Sequence, residues 1–251
     1  MGRPTRAPRA RLTAPVPVTP RQAATVMLLR DSVDDALEVL LLRRSDNTPF
    51  VPGAHVFPGG AVEASDGDDG FDAHTDLSDE DASVILRVPS GGRAFWVAAV
   101  RESLEEAGVL LSTVGGRPVD DTHPVLQDEG TLRAGLEAGT TRLLDLCREH
   151  GLGLGLDRMV YVSQWITPEE SPRRYDTRFF AAAMPVGQSA SADEWEAVDA
   201  QWWEPTRALE SWQADEIQLI EPTVASLRLL AGHDDAESAL AALRRTGAST
   251  R

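Results

Sequence analysis

The sequence predicts an α/β protein, an α/β/α sandwich around a mixed β-sheet that carries helical insertions. Three observations predict it. Runs with strand character and runs with helical character alternate irregularly along the 251 residues, as in a sheet covered by helices. Residues 23–30 and 37–44 are two apolar strand-like runs joined by a turn-prone stretch at 31–35. Around Arg101-Glu102-Ser103-Leu104-Glu105-Glu106-Ala107-Gly108, a spacing of ~100° per residue gathers Val97, Val100, Leu104 and Ala107 on one helical stripe. With 42% hydrophobic residues, the chain can bury one core of decent size, consistent with a single domain plus decorations.

In chain order, residues 1–20 hold Arg3, Arg6, Arg9 and Arg11 among prolines and no apolar segment, so a disordered tail is expected ahead of a domain over 21–231. An Arg-rich organellar presequence is the other reading, which the prolines oppose. After the two strands, residues 45–53 read as a loop, and 54–57 deliver a Pro58-Gly59-Gly60 turn. Asp66-Gly67-Asp68-Asp69-Gly70 opens an acidic excursion. Its spacing does not fit a calcium loop, since Gly70 stands at a ligand position, and it reads as a solvated lid or hinge. Ser78, three residues before Asp81, is an N-cap for a helix to about residue 88, with Val84, Ile85 and Leu86 as its reason to dock. Pro89-Ser90-Gly91-Gly92 ends that helix before the next begins. Gly108 is a C-cap, and Val109-Leu110-Leu111 reads as a return to strand. Residues 124–150 are helical in pattern, with Leu132, Leu136, Leu143, Leu144 and Leu146 as core positions. The glycines of 151–155 break it. Strands follow at 159–166 and 178–185, then an acidic loop at 193–198 before Trp202 and Trp203. Pro222 opens a helix carrying Val224, Leu227 and Leu230, and residues 232–251 form a C-terminal helix and tail, helical from 236 to 245.

The formal charge of −16 argues against a broad nucleic-acid or anionic-membrane surface and suits a cytoplasmic enzyme that concentrates cations. No apolar run is long enough to span a membrane. All 24 basic residues are arginine, which leaves no lysine for catalysis. Cys147 is the single cysteine, so an internal disulfide is excluded and a buried structural thiol is expected.

Chemistry concentrates on the helix before Gly108. Glu102, Glu105 and Glu106 are spaced i, i+3, i+4 and share the side opposite the apolar stripe. Three carboxylates on one face repel unless a positive charge sits among them, and a hard cation with oxygen ligands, Mg²⁺ or Mn²⁺, relieves the repulsion. Arg101, one turn before Glu105, can hold it in place. The alternative is an ordinary solvated acidic face.

Phe57-Pro58-Gly59-Gly60-Ala61-Val62-Glu63 upstream, together with Arg101-Glu102-x-x-Glu105-Glu106-x-Gly108, resembles the Nudix box, G-x5-E-x7-R-E-U-x-E-E-x-G-U with U apolar. Three departures stand out. The first Glu of the box falls on Asp66, and 34 residues separate Asp66 from Arg101 where the pattern has 7, an insertion of 27. Ser103 stands where an apolar residue is expected. Trp165-Ile166-Thr167-Pro168 and Arg173-Arg174-Tyr175-Asp176-Thr177-Arg178-Phe179-Phe180 extend the likeness. Together with the insertion, assigned to 67–93, they resemble the acyl-CoA diphosphatase branch of the family.

The resemblance implies a Nudix-type fold and hydrolysis of a nucleoside diphosphate linked to another group. The branch implies CoA or acyl-CoA as substrate, split to adenosine 3′,5′-bisphosphate and phosphopantetheine or its acyl form. It implies Glu105 and Glu106 as metal ligands, Glu102 as ligand or base, Arg101 orienting Glu105, and Gly59 or Gly60 adding a backbone carbonyl. A further carboxylate is expected from Glu194 or Glu196. Arg173, Arg174, Arg44 and Gly60 are expected at the substrate, the paired arginines at the 3′-phosphate of CoA. Other readings stay open: another substrate such as NADH, ADP-ribose or a nucleoside triphosphate, or a binding module that has lost catalysis. A homodimer is compatible with the sequence.

Overall fold

The computed structural model describes residues 18–48, 51–193 and 197–249. Residues 1–17 of the tail expected over 1–20, and Glu194 and Glu196, lie outside the described residues. Among the described residues a seven-stranded mixed sheet forms the centre. Its strands are β1 (Arg21–Asp31), β2 (Leu37–Arg44), β3 (His55–Val56), β4 (Gly59–Ala61), β8 (Val160–Ile166), β9 (Tyr175–Ala183) and β10 (Ala197–Trp203). Three short strands, β5 (Ser112–Val114), β6 (Arg117–Pro118) and β7 (Gly153–Leu154), make a separate small sheet. The helices are α1 (Asp79–Leu86), α2 (Arg93–Ala107), α3 (Glu129–Glu137), α4 (Leu143–His150), α5 (Pro205–Gln213), α6 (Glu221–Leu230) and α7 (Ala236–Ser249).

The main sheet runs β10-β2-β1-β9-β8, with β3 pairing β2 and β4 pairing β1. Only β1 and β9 are parallel, in an unbroken register from Arg21↔Tyr175 to Leu29↔Ala183. The two-residue alternation of strands decides which residues meet which layer. Ala24, Val26 and Leu28 of β1, with Leu40, Leu42, Phe180 and Ala182, face α2. Met27 and Leu29, with Val39, Leu41, Phe179 and Ala181, face Ala208 of α5, Leu227 and Leu230 of α6, and Ala239, Leu240 and Leu243 of α7. The α/β/α sandwich expected from the sequence is therefore present. The C-terminal helix belongs to its second layer.

Helix α2 is enclosed on nearly every side: of its residues only Glu105 is not buried. It ends where Gly108 adopts φ +69 and donates to Leu104 O, the ending expected of a glycine there. Val109, Leu110 and Leu111 are buried but not a strand; pairing begins at Ser112. The expected helix over 124–150 is broken into a turn at Pro124–Leu126, α3 and α4. Gly139 at φ +67 and the N–H groups of Thr140 and Thr141, both donating to Gly135 O, end α3 despite the continuing leucine pattern. β9 starts three residues before its expected boundary, and residues 197 and 198, expected in a loop, open β10.

The insertion folds as a docked excursion. Ser78 Oγ accepts from Asp81 N–H at 3.0 Å and starts α1. Asp79 then accepts from Gly91 N–H (2.9 Å) and Arg93 N–H (3.0 Å), closing the return into α2. Phe71, Ala82 and Leu86 are the hydrophobic side chains it buries. Val84 and Ile85, expected to dock, are 72% and 42% exposed, because α1 turns its Ala82–Leu86 side inward.

Candidate active site

The carboxylates of α2 meet the glycine strand because β4 pairs with β1, while α2 packs against both. Gly59 N–H donates to Glu106 Oε2 at 2.8 Å. A Cβ on Gly60 would lie 2.4 Å from Glu102 Oε1, so only a bare Cα lets the carboxylate approach the strand. Despite the 27 extra residues, the two halves of the motif are neighbours. The solvated-face alternative fails on burial: Glu102 and Glu106 are 8% and 7% exposed.

Arg101 is the centre of the constellation. Its Nε and Nη2 donate to the two oxygens of Asp66 at 3.0 and 3.1 Å, a bidentate fork. Nη1 donates to Glu102 Oε1 (2.9 Å) and Glu105 Oε2 (2.8 Å), and Nη2 also to Ala61 O (2.8 Å). Asp66 lies in the turn Ala64–Gly67 and accepts from Glu63 N–H at 2.8 Å. The shorter side chain therefore braces the loop while still reaching the arginine. Ser103, a further departure, is fully buried, and its Oγ finds no hydrogen-bond partner among the described residues.

One guanidinium faces three carboxylates directly, with a fourth, Glu106, alongside. Burial pushes Glu105 up to about 7 against the pull of Arg101. Burial also raises Glu102 above the ordinary carboxylate range, opposed by Arg101 and reinforced by the charge of Glu105. Asp66 is raised by burial too, with Arg101 opposing. A buried set with this excess of negative charge favours protons or a cation. The donors are all oxygen, which fits a hard divalent ion. As the side chains stand, no three or more His, Cys, Asp or Glu among the described residues are spaced to hold a metal; the glutamates turn to Arg101 and Gly59 instead.

Arg101, Glu102, Glu105 and Glu106, with Gly59 and Gly60, line a cleft of about 1140 Å³. Glu63, Glu129 and Asp193 add carboxylates to it. Arg21, Arg44 and Arg173 bring positive charge, and Phe57, Trp165, Tyr175, Phe179, Ile220 and Pro222 supply an apolar wall. Arg173 is exposed, and among the described residues neither it nor Arg21 has an ionic or hydrogen-bonded side-chain partner. Arg174 does not line the cleft. Its Nε donates to Thr167 O at 3.0 Å and its Nη1 to Val18 O at 2.7 Å, so it braces the chain instead of offering a free cation. A second cavity of about 540 Å³, beside His74 and the glycines of 151–155, shares no residue with this cleft. Sequence reasoning missed Arg21, Glu129, Arg133 and Asp193. Only Asp193 carried a signal, as the first carboxylate of the acidic stretch.

The family model described as the NUDT19 Nudix domain matches residues 73–230, more than half of the chain. The chain belongs to this Nudix family. It is 28% identical to the acyl-coenzyme A diphosphatase NUDT19 of Xenopus laevis, over 77% of this chain and 59% of that protein. It is 29% identical to the Homo sapiens protein of the same name, over 78% and 61%. The chain thus spans about three-fifths of the length of these curated relatives. A crystal structure of a Nudix hydrolase from Alicyclobacillus acidocaldarius matches with a TM-score of 0.72 and 29% identity, covering 89% of this chain and 96% of that one. The match confirms the Nudix fold for nearly the whole chain. Among the described residues no helix is long and apolar enough to cross a membrane.

Proposed function

We propose that the chain hydrolyses the diphosphate bond of a nucleoside diphosphate derivative with Mg²⁺ or Mn²⁺, and that coenzyme A or an acyl-CoA is the substrate. The observation that carries the reading is the Arg101-centred carboxylate set at the floor of a cleft that also holds cations and an apolar wall. Naming of the relatives as acyl-coenzyme A diphosphatases supports the choice of substrate.

Glu105 and Glu106 would hold the ion, with Glu102 beside them. A bound divalent ion would shield phosphate charge and acidify a water molecule. Arg101 keeps Glu102 and Glu105 from swinging away and itself faces protein oxygens instead of the substrate. Glu102, buried and raised in pKa, is suited to take the proton from the attacking water. Gly60 leaves room at that carboxylate, and Gly59 holds Glu106 through its N–H. Arg173 is the cation available for the 3′-phosphate, and Arg44 lines the same cleft. The apolar wall of Trp165, Phe179 and Ile220 suits the pantetheine or acyl arm. A cytoplasmic setting is part of the reading, supported by one buried, unpaired cysteine and the strongly acidic charge.

The test is incubation of the full chain with CoA, acyl-CoAs, NADH and ADP-ribose, with and without Mg²⁺ or Mn²⁺, followed by mass detection of products. Metal-dependent release of adenosine 3′,5′-bisphosphate from CoA substrates is expected. Turnover of ADP-ribose or NADH in preference would replace the substrate assignment, and no metal-dependent turnover of any of them would remove the enzymatic one.

A further inference from the structure

We infer that Arg133 is a positioning residue for the glutamates of α2, fixing the last turn of that helix against α3 and against the segment that brings Asp193 to the cleft. The inference rests on the metal-dependent reading above. An α-helix leaves its last C=O groups without intrahelical partners. In α2 these groups are satisfied from three places. Val109 N–H donates to Ser103 O and Gly108 N–H to Leu104 O, both at 3.1 Å. The next two carbonyls both belong to Arg133: Nε donates to Glu105 O and Nη2 to Glu106 O, each at 2.8 Å. Ala107 O accepts from Ser191 N–H at 3.0 Å.

The same guanidinium reaches further. Nη1 donates to Glu129 Oε1 at 2.7 Å and to Ser191 Oγ at 2.9 Å, while Ser191 Oγ lies 3.1 Å from Glu129 Oε1. Arg133 is 9% exposed, and it joins segments 27, 28 and 58 residues away in sequence. Gly108 permits this closeness: a Cβ there would stand 2.1 Å from Glu129 Oε1 and 3.3 Å from Arg133 Nη1. Two carbonyls held by one rigid plane fix the rotation of the helical turn, and hence the directions in which Glu105 and Glu106 leave the backbone. A cap that served stability alone needs only one donor per carbonyl, which water or a lysine supplies. The planar fork is what sets two carbonyls and the Ser191 segment in one geometry. Two residues beyond Ser191 is Asp193, which lines the cleft.

The test measures Mn²⁺ binding to the metal-free full chain from the electron paramagnetic resonance signal of free Mn²⁺, without substrate. Arg133→Lys keeps the charge and loses the fork. It should raise the half-saturating Mn²⁺ concentration about tenfold, in line with the effect of removing groups that orient metal ligands. On the preferred substrate it should lower kcat while KM stays within about twofold of the unaltered chain. Arg133→Ala should do more. A role in stability alone predicts a lower melting temperature with unchanged Mn²⁺ affinity in the folded variants, and that result overturns the inference. Should Arg133→Ala not fold, Ser191→Ala decides with Arg133→Lys. Ser191→Ala removes one shared hydroxyl and should raise the midpoint about threefold, and unaltered midpoints in both overturn the inference. If the unaltered chain binds no Mn²⁺, the functional reading falls and this inference with it, a result distinct from normal binding with indifferent variants.

Discussion

Replacing Arg101 by methionine gives the sharpest test of how the buried carboxylates are held. Methionine keeps much of the volume and removes the charge and all five hydrogen bonds to Asp66, Glu102, Glu105 and Ala61 O. The side chains left behind cannot escape to water: those of Asp66, Glu102 and Glu105 are 2%, 10% and 14% exposed. Breaking a buried pair by removing one partner costs about 3–5 kcal/mol, because the other charge stays uncompensated. For a chain of this length that corresponds to a fall in Tm of roughly 6–20 °C. Thermal and urea denaturation of the metal-free protein at neutral pH measures it. Adding Asp66→Asn should restore part of the loss, since it removes one of the stranded charges. A loss below about 1 kcal/mol would refute the reasoning, for it would place Arg101 among ordinary surface ion pairs.

Glu105→Gln and Glu106→Gln should each lower turnover by about two orders of magnitude or more, since a metal contributes several kcal/mol in the transition state. The fold should persist, Glu105→Gln being neutral or stabilising without metal because it removes a repelling charge; near-normal turnover at saturating metal in both variants would sink the metal assignment. Gly60→Ala should reduce kcat at least about tenfold with little change in Tm, because the new Cβ must displace Glu102; an unchanged kcat would show that Glu102 need not approach the strand. Arg173→Ala should raise KM for CoA by about one to two decades and hardly alter that for dephospho-CoA. Arg174→Ala should lower Tm and affect both substrates alike, and the reverse pattern would exchange the roles of the two arginines.

The parts of this molecule legible from sequence are those whose cause is local. β2 matches its expected limits because an apolar run is bounded by turn residues, and α1 starts at Ser78 because a hydroxyl followed three residues later by an acid caps a helix. The glutamates of α2 were legible from their spacing. Burial of nearly the whole helix was not, since its polar side is covered by β4 and the turn at Ala64–Gly67 from a distant part of the chain. β10 was obscured by the acidic residues around it, and α5 went unseen although Pro205 stands in its first turn. Arg133 was hidden for a deeper reason. On its own helix it pairs with Glu129 at i, i+4, the most ordinary arrangement an arginine can have, and only the approach of α2 and Ser191 gives it three further neighbours.

The salt bridge from Asp66 to Arg101 also makes the insertion a closed loop with a fastened neck. One fork of hydrogen bonds joins the residue at its entry to the helix at its exit, so the catalytic face does not depend on what the intervening chain does along its length. Loop closure grows costlier only as the logarithm of length, and here the neck is held by side chains outside the excursion. Arg87, Pro89 and Ser90, just past the end of α1, are exposed, which marks that turn as open ground. The excursion is thus a port: a reporter domain or a pair of new chain ends placed at Pro89 and Ser90 would leave the glutamates facing Gly60, provided Phe71, Ala82 and Leu86 stay buried and Asp79 keeps its hold on Gly91 and Arg93.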